Sequence, residues 1–502
     1  MTEPVRMAAV DLGAESGRVV LGRFDGQRIE LDLAHRFANR PLWLPEGLRW
    51  NLPALFVETL HGLGAAAASG TLDSIGVDSW GCDYALLDAG ERLLGLPLNH
   101  RDGRTTTELV AQTHARVSRD ELYTRTGIQT MPINTIFQLC AEAASGALAV
   151  AERIALIPDL IGKWLTGTLA NELTVASTSG LLEASSMRWI EDLIARLGLP
   201  AAPFRGVAVA PGTPLGPVLA RHGDEAGAAV GTPVHTVAGH DTASAFVAAP
   251  LGSDGAAVLS SGTWSLLGLE LERPELGSGA AAYNLTNERG VGRTVRLLRN
   301  VMGLWLLQEC RRAWAHTGSE FEYRQLQQLA RESRADVALF DPDHETLLHG
   351  GDMPAKIERL CTAGGQRATG GPGEMCRAIL TSLACKYRLV LAQLELVSGR
   401  RIDVVHVVGG GAHNELLCQL TADVLGRPVV AGPVEATALG NLLVQGMALD
   451  LVGDLAHARA ITRRSVELRT YEPERTGLGE ETFHRFLSVT GLASVAPTKT
   501  MA

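Results

Sequence analysis

Asp241 stands in Val237-Ala238-Gly239-His240-Asp241-Thr242-Ala243-Ser244-Ala245, where an apolar run over 234–238 passes through Gly-His-Asp-Thr into an Ala-rich helical stretch. A carboxylate at a helix start is favoured by the free N–H groups and the helix dipole. It has two uses there. It can cap the helix, or it can orient an alcohol and accept its proton while a bond to phosphorus forms. Two turns rich in Gly and hydroxyls lie on either side of it in sequence, Asp11-Leu12-Gly13-Ala14-Glu15-Ser16-Gly17 and Ser260-Ser261-Gly262-Thr263. Gly lets a turn aim successive N–H groups at one point, which makes a concave seat for phosphate oxygens. In the first turn Ser16 adds a hydroxyl donor and Arg18 a charge. Asp11, at the strand end, is placed to hold Mg²⁺ through water, because hard cations take oxygen ligands. In the second turn Thr263 is the expected phosphate contact. Both turns also read as ordinary hairpins that form for local reasons.

A third Gly cluster, Gly409-Gly410-Gly411-Ala412-His413-Asn414, separates the apolar run 404–408 from a helical stretch. It either lets a flat group such as adenine or ribose lie on the backbone or simply turns strand into helix. It does not complete G-x-G-x-x-G, and the chain has no G-x-x-x-x-G-K-[ST] and no protein-kinase motif set. The two histidines of His344-Glu345-Thr346-Leu347-Leu348-His349 are one residue too far apart to share a helix face as zinc ligands. Seven cysteines form no C-x-x-C pair. Cys361 and Cys376 could bridge a Gly-rich loop, but free thiols are the expectation in a reducing cytosol.

The elements that must position these residues alternate apolar or β-branched runs with Ala/Leu-rich helical stretches, the pattern of α/β domains. The pattern echoes itself. Each Gly turn joins two strands of a hairpin. Each hairpin has a later strand ending in Gly, Asp73-Ser74-Ile75-Gly76-Val77-Asp78-Ser79-Trp80-Gly81 in one case and Asp403-Val404-Val405-His406-Val407-Val408-Gly409-Gly410-Gly411 in the other. Two similar halves with a cleft between the copies are expected. The boundary is placed at Leu251-Gly252-Ser253-Asp254-Gly255, giving domains 1–250 and 251–470, an extension 471–502 and a loose tail from Ala493 to Thr498.

With 502 residues, two large domains are the default. A formal charge of −10 argues against a broad nucleic-acid surface. The start, Met1-Thr2-Glu3-Pro4-Val5-Arg6, lacks a signal-peptide plan, and no apolar run is long enough to span a bilayer, so a cytoplasmic protein is expected.

Read together, these segments resemble the FGGY family of carbohydrate kinases. The matching stretches are 9–18, 75–84, 239–244, 259–266, 299–308 and 407–411, in order along nearly the whole chain. The first hairpin alone is shared with actin-like ATPases. The Trp80-Gly81 turn and the stretch 300–308 are more specific, and are similar to the branch of the family that phosphorylates L-rhamnulose. The resemblance implies two ribonuclease-H-like α/β domains of the actin ATPase type with a catalytic cleft between them. It implies transfer from MgATP to the C1 hydroxyl of L-rhamnulose, giving L-rhamnulose 1-phosphate and ADP, with a small-molecule sugar rather than nucleic acid or membrane as partner. Another sugar or polyol, such as L-fuculose, a pentulose or glycerol, is the alternative. By the same resemblance Asp241 is the catalytic base. Gly81, His240, Asp241, Thr242 and Asn300 line the sugar site, and Ala14, Glu15, Ser16, Gly17, Arg18, Thr263, Gln308 and Gly410 contact the nucleotide. Glu15 departs from the small Ser of some relatives, and a carboxylate beside phosphate must turn away or help hold Mg²⁺. Between 335 and 373 the match is scattered and no role is carried over.

Overall fold

A computed structural model describes residues 3–143 and 145–497. Met1, Thr2 and the expected tail's Thr498 lie outside the described residues. The chain forms two compact units. The first comprises Met1–Pro250, Glu270–Arg296 and Ala436–Ser465, and the second Leu251–Leu269, Leu297–Glu435 and Val466–Ala502. This partition differs from the linear division 1–250, 251–470 and 471–502, because two later segments return to the first unit and the C-terminal residues join the second.

In the first unit six strands are β1 (Val5–Leu12), β2 (Ser16–Phe24), β3 (Ile29–Ala38), β4 (Ser74–Ser79), β5 (Pro214–Pro217) and β6 (Pro233–His240), in the order β3-β2-β1-β4-β6-β5. The hairpin β1-β2 is antiparallel, whereas β4 is parallel to both β1 and β6. A parallel strand covered on both faces must be buried along its length, and all six residues of Ser-Ile-Gly-Val-Asp-Ser in β4 are. Ile75 and Val77 join Leu52, Leu55, Leu63 and Leu160 in the core. On the other side helices Asp241–Ala248 and Ala436–Ala448 press together so closely that a Cβ at Gly440 would lie 1.8 Å from the Ser244 carbonyl oxygen. Only glycine allows that approach.

The strands that lie mainly in the second unit are β7 (Ala256–Ser261), β8 (Trp264–Leu271), β9 (Val295–Met302), β10 (Val404–Val408), β11 (Val429–Ala431) and β12 (Arg469–Tyr471), in the order β9-β8-β7-β10-β11-β12, with β8 and β9 each running two residues into the segment Glu270–Arg296. The internal echo is therefore structural. In each unit an antiparallel hairpin has a later strand added in parallel to its first strand, β4 on β1 and β10 on β7. Over residues 493–497 the chain is not loose. Phe483 and Phe486, on the helix Thr476–Thr490, are buried with Leu339, Leu389 and Val424, and Leu492 and Ala496 pack against the same cluster. Apolar side chains just beyond the helix hold the segment down. Among the described residues no helix is long and apolar enough to cross a membrane.

Candidate active site

The first hairpin ends its two strands on a pair of opposite charges. Asp11 faces Arg18 across β1-β2, and its Oδ2 accepts from Arg18 Nε at 2.8 Å and pairs with Nη2 at 2.7 Å. The turn between them is braced from outside: Asn39 N donates to the Glu15 carbonyl at 2.9 Å and Asn39 Nδ2 to the Gly13 carbonyl at 2.9 Å. A Cβ at Gly17 would strike the Phe37 ring at 2.3 Å, so this turn needs its glycine for packing. On the adjacent strand Asp78 is in register with Asp11. It is fully buried, takes a 2.6 Å bond from Asn441 Nδ2 on Oδ2, and its Oδ1 has no partner among the described residues. Burial first, and the neighbouring Asp11 charge second, push the Asp78 carboxyl well above the usual range.

Asp241 opens the helix that follows β6. Its Oδ1 accepts from Thr242 N at 2.5 Å and Thr242 Oγ1 at 3.1 Å, and His240 Nε2 stands 3.3 Å away. Two donors from Thr242 thus bond one oxygen, with His240 Nε2 near it, and Oδ2 has no donor among the described residues. Burial raises the Asp241 carboxyl, with His240 opposing and Asp11 adding to the rise. Behind His240 lies a buried ion pair. Glu288 Oε2 is 3.2 Å from His240 Nδ1 and 3.2 Å from Arg296 Nη2. Burial alone would favour neutral Glu288, but Arg296 and His240 outweigh it and hold this carboxyl below its usual value.

The backbone before His240 is pinned by another acid. Glu172 accepts from Gly239 N at 2.9 Å, Val175 N at 3.1 Å, Thr174 N at 2.8 Å and Thr174 Oγ1 at 2.6 Å. Gly81 lies against the same loop, since a Cβ there would come within 3.2 Å of Thr178 Oγ1 and 3.4 Å of His240 Nε2. Its turn is anchored by Asp83, whose Oδ2 accepts from Trp50 Nε1 and Trp80 Nε1 at 2.8 Å each and from His100 Nδ1 at 2.7 Å.

In the second unit the hairpin turn is gripped by the start of the helix Trp305–His316. Leu304 N donates to the Gly262 carbonyl at 2.9 Å and Trp305 N to the Thr263 carbonyl at 3.1 Å. A Cβ at Gly303 would lie 2.6 Å from the Trp264 carbonyl carbon and 2.8 Å from both the Gly262 and Thr263 oxygens. The end of β9 is held in turn by Asp343, which accepts from Met302 N at 2.8 Å and pairs at 3.1 Å with buried Lys386. Gln308, in the first turn of that helix, keeps a buried Oε1 with no partner among the described residues. On the other side of the hairpin a Cβ at Gly411 would overlap Ser261 Oγ at 2.0 Å, whereas Gly410 has open space before it. A Gly410 backbone without cover suits a flat ligand.

Two family models cover almost the whole chain. Residues 7–248 match the N-terminal domain of the FGGY family of carbohydrate kinases, and residues 257–449 match its C-terminal domain. The chain belongs to the FGGY family of carbohydrate kinases.

This FGGY kinase is 39% identical over 469 residues to the rhamnulokinase of Bacteroides thetaiotaomicron, covering 93% of the chain and 95% of that relative. It is 41% identical over 475 residues to the rhamnulokinase of Pectobacterium atrosepticum, covering 93% of each. Among solved structures, ligand-bound xylulose kinase from Lactobacillus acidophilus superposes with a TM-score of 0.77 at 16% identity, covering 97% of this chain and 98% of that one. Plasmodium falciparum glycerol kinase with ADP gives 0.74 at 13% identity, covering 99% of each. These likenesses establish the expected two-domain α/β sugar-kinase fold. The protein is an enzyme of the carbohydrate-kinase class, which transfers phosphoryl groups to sugars.

Of the residues picked from sequence, the first unit brings together Asp11 with Arg18, and Gly81 with His240, Asp241 and Thr242. The second unit brings Thr263 and Gly410 to one hairpin and sets Asn300 on β9 ahead of Gln308. Sequence reasoning missed Asp78, Glu172, Glu288 and Arg296. Asp78 carried a signal, a carboxylate next to Val77 in the strand whose position echoes β10. Glu288 and Arg296 carried none, because their stretch was assigned to the second half of the chain. Cys361 and Cys376 are buried thiols, pushed up to about 11 and about 12 by burial.

Proposed function

We propose that this kinase phosphorylates L-rhamnulose on its C1 hydroxyl, using ATP and giving L-rhamnulose 1-phosphate and ADP. The substrate reading is carried by the 39–41% identity to curated rhamnulokinases across 93% of the chain. Asp241 acts as base through Oδ2, the oxygen left open when Thr242 and His240 occupy Oδ1. Held by Thr242 on Oδ1, the carboxylate orients the acceptor oxygen in line with the phosphorus and takes its proton as the new bond forms. Desolvation and the nearby Asp11 charge raise its proton affinity, the direction a general base needs. Gly81, His240, Thr242 and Asn300 line the sugar. Ala14, Glu15, Ser16, Gly17, Arg18, Thr263, Gln308 and Gly410 contact the nucleotide.

Asp11 and Asp78 fit a hard divalent cation. They are in-register carboxylates, and the buried Asp78 Oδ1 lacks any donor among the described residues. Mg²⁺ held there, through water on Asp11, would supply charge neutralisation for the phosphate oxygens. The test is a coupled ADP-release assay with L-rhamnulose, L-fuculose, pentuloses and glycerol. L-Rhamnulose is expected to give the highest kcat/KM, with phosphorus coupled to the C1 protons in the product's NMR spectrum. A higher kcat/KM on any other acceptor removes the assignment.

A further inference from the structure

Glu288 and Arg296 reach His240 on the segment Glu270–Arg296, one of the two that return to the first unit. Arg296 Nη2 stands 3.3 Å from His240 Nδ1 and 3.2 Å from Glu288 Oε2, and Glu288 Oε2 stands 3.2 Å from the same Nδ1. One edge of the imidazole therefore meets an ion pair, and the other edge meets Asp241 Oδ1 at 3.3 Å. The pair is deeply placed: Arg296 is 0% and Glu288 4% exposed. Arg296 is further tied by Nε to the Arg289 carbonyl at 3.0 Å, and Glu288 Oε1 accepts from Thr286 Oγ1 at 3.4 Å. A buried ion pair is a poor way to stabilise a fold, since well-packed apolar side chains often serve as well or better. Its charges point to a task beyond packing.

That task follows from the two ring nitrogens. If Nδ1 is bare it can accept from Arg296, and the single ring proton must sit on Nε2. The tautomer with a bare Nε2 is disfavoured, because it would set Nδ1–H against an Arg296 N–H. Arg296 donating to Nδ1 thus leaves the ring proton on Nε2, 3.3 Å from Asp241 Oδ1, and Glu288 Oε2 holds the Arg296 charge in place at 3.2 Å.

We infer that Glu288 and Arg296 are positioning residues for phosphoryl transfer, which hold His240 so that it donates to Asp241 Oδ1 and leaves Oδ2 for the acceptor hydroxyl. The inference rests on Asp241 being the base. It is tested by a double-mutant cycle on kcat with E288Q, H240Q and the double variant, alongside D241N and thermal midpoints for each. E288Q is expected to lower kcat roughly tenfold, a coupling of the size charged neighbours show. In the H240Q background the same change should have no further effect, because Glu288 acts through the ring that is gone. A merely structural glutamate would instead lower the midpoint and multiply its loss onto that of H240Q. Multiplying losses, or an E288Q enzyme with wild-type kcat, overturns the inference. Should E288Q purify unfolded, R296K, which retains the buried charge but not the planar fork, enters the same cycle with the same two outcomes. D241N separates the two ideas: near-normal turnover in D241N removes the base, whereas an inactive D241N with multiplying losses removes only the positioning role.

Discussion

Asn441 donates to Asp78 Oδ2 at 2.6 Å across 363 positions of sequence, and this bond ties the helix Ala436–Ala448 to strand β4. Asn441 is itself held, accepting from Gln445 Nε2 at 2.7 Å, while Gln445 Nε2 also donates to the Ala8 carbonyl at 3.0 Å in β1. Asn441→Ala would leave both Asp78 oxygens buried without a donor. A loss of about 1–3 kcal/mol of unfolding free energy is expected, the usual cost of an orphaned buried polar group. Urea titration at neutral pH measures it, and an unchanged midpoint would mean that the bond holds nothing.

Asp241→Asn keeps the shape and the Oδ1 contacts but cannot take a proton. Turnover should fall by roughly 10²–10⁴, the range of general base catalysis. Sugar and ATP affinities measured by calorimetry should stay within a few-fold of wild type. Loss of sugar binding without loss of turnover per bound sugar would mark Asp241 as a binding residue only.

Glu172 predicts a specific pH response. Burial pushes its carboxyl up to about 7 from an ordinary value of 4.5, despite four donors that favour the charged form. The folded state therefore binds this proton more tightly than the unfolded chain. The associated stability is fully present below pH 4.5 and is lost as pH rises toward about 7. Glu172→Gln cannot titrate. The difference in unfolding free energy, wild type minus variant, should fall across that window by an amount on the order of 3 kcal/mol. A difference that stays flat from pH 4 to 8 would falsify the assignment.

Gly303→Ala should disturb the nucleotide side without touching the acids. The new methyl meets backbone atoms of the Gly262-Thr263-Trp264 turn at 2.6–2.8 Å, and backbone cannot swing aside as a side chain can. Either the turn or the helix start must shift. Displacements of that order near reacting groups cost up to about a hundredfold. ATP KM is expected to rise about tenfold or more, with sugar affinity unchanged by calorimetry. An unchanged ATP KM would detach this turn from nucleotide binding.

Much of the machinery was legible in the residues themselves, because local chemistry controls it. Glycines at 13, 17 and 409–411, the hydroxyls at 16 and 263 and the Gly-His-Asp-Thr junction mark turns and a helix start, whose constraints act over a few neighbours. The repetition of hairpin and later strand was legible for the same reason. It survives as β1-β2 with β4 and as β7-β8 with β10. The expectation of Asp241 as a helix cap shifts by one residue: His240 is the N-cap and Asp241 the first residue of the helix. Its carboxylate sits at the helix start with Thr242 N on Oδ1, and this same bond leaves Oδ2 open.

What pattern could not supply was which distant segments return. Glu288 and Arg296 looked like part of the second half of the chain, and Asn441 stands 363 positions from the acid it meets. Their partners, His240 and Asp78, are chosen by burial: a charged group removed from water must meet its complement wherever the fold brings one. Local sequence determined the hairpins, the Gly turns and the place of Asp241 on its helix. Only the tertiary structure decided that Asp78 stands beside Asp11, that Glu172 pins Gly239, and that an ion pair from residues 270–296 closes on His240. Periodicity and turn chemistry act between neighbours in the chain, whereas the pairing of buried charges depends on contacts that exist only once the chain has folded.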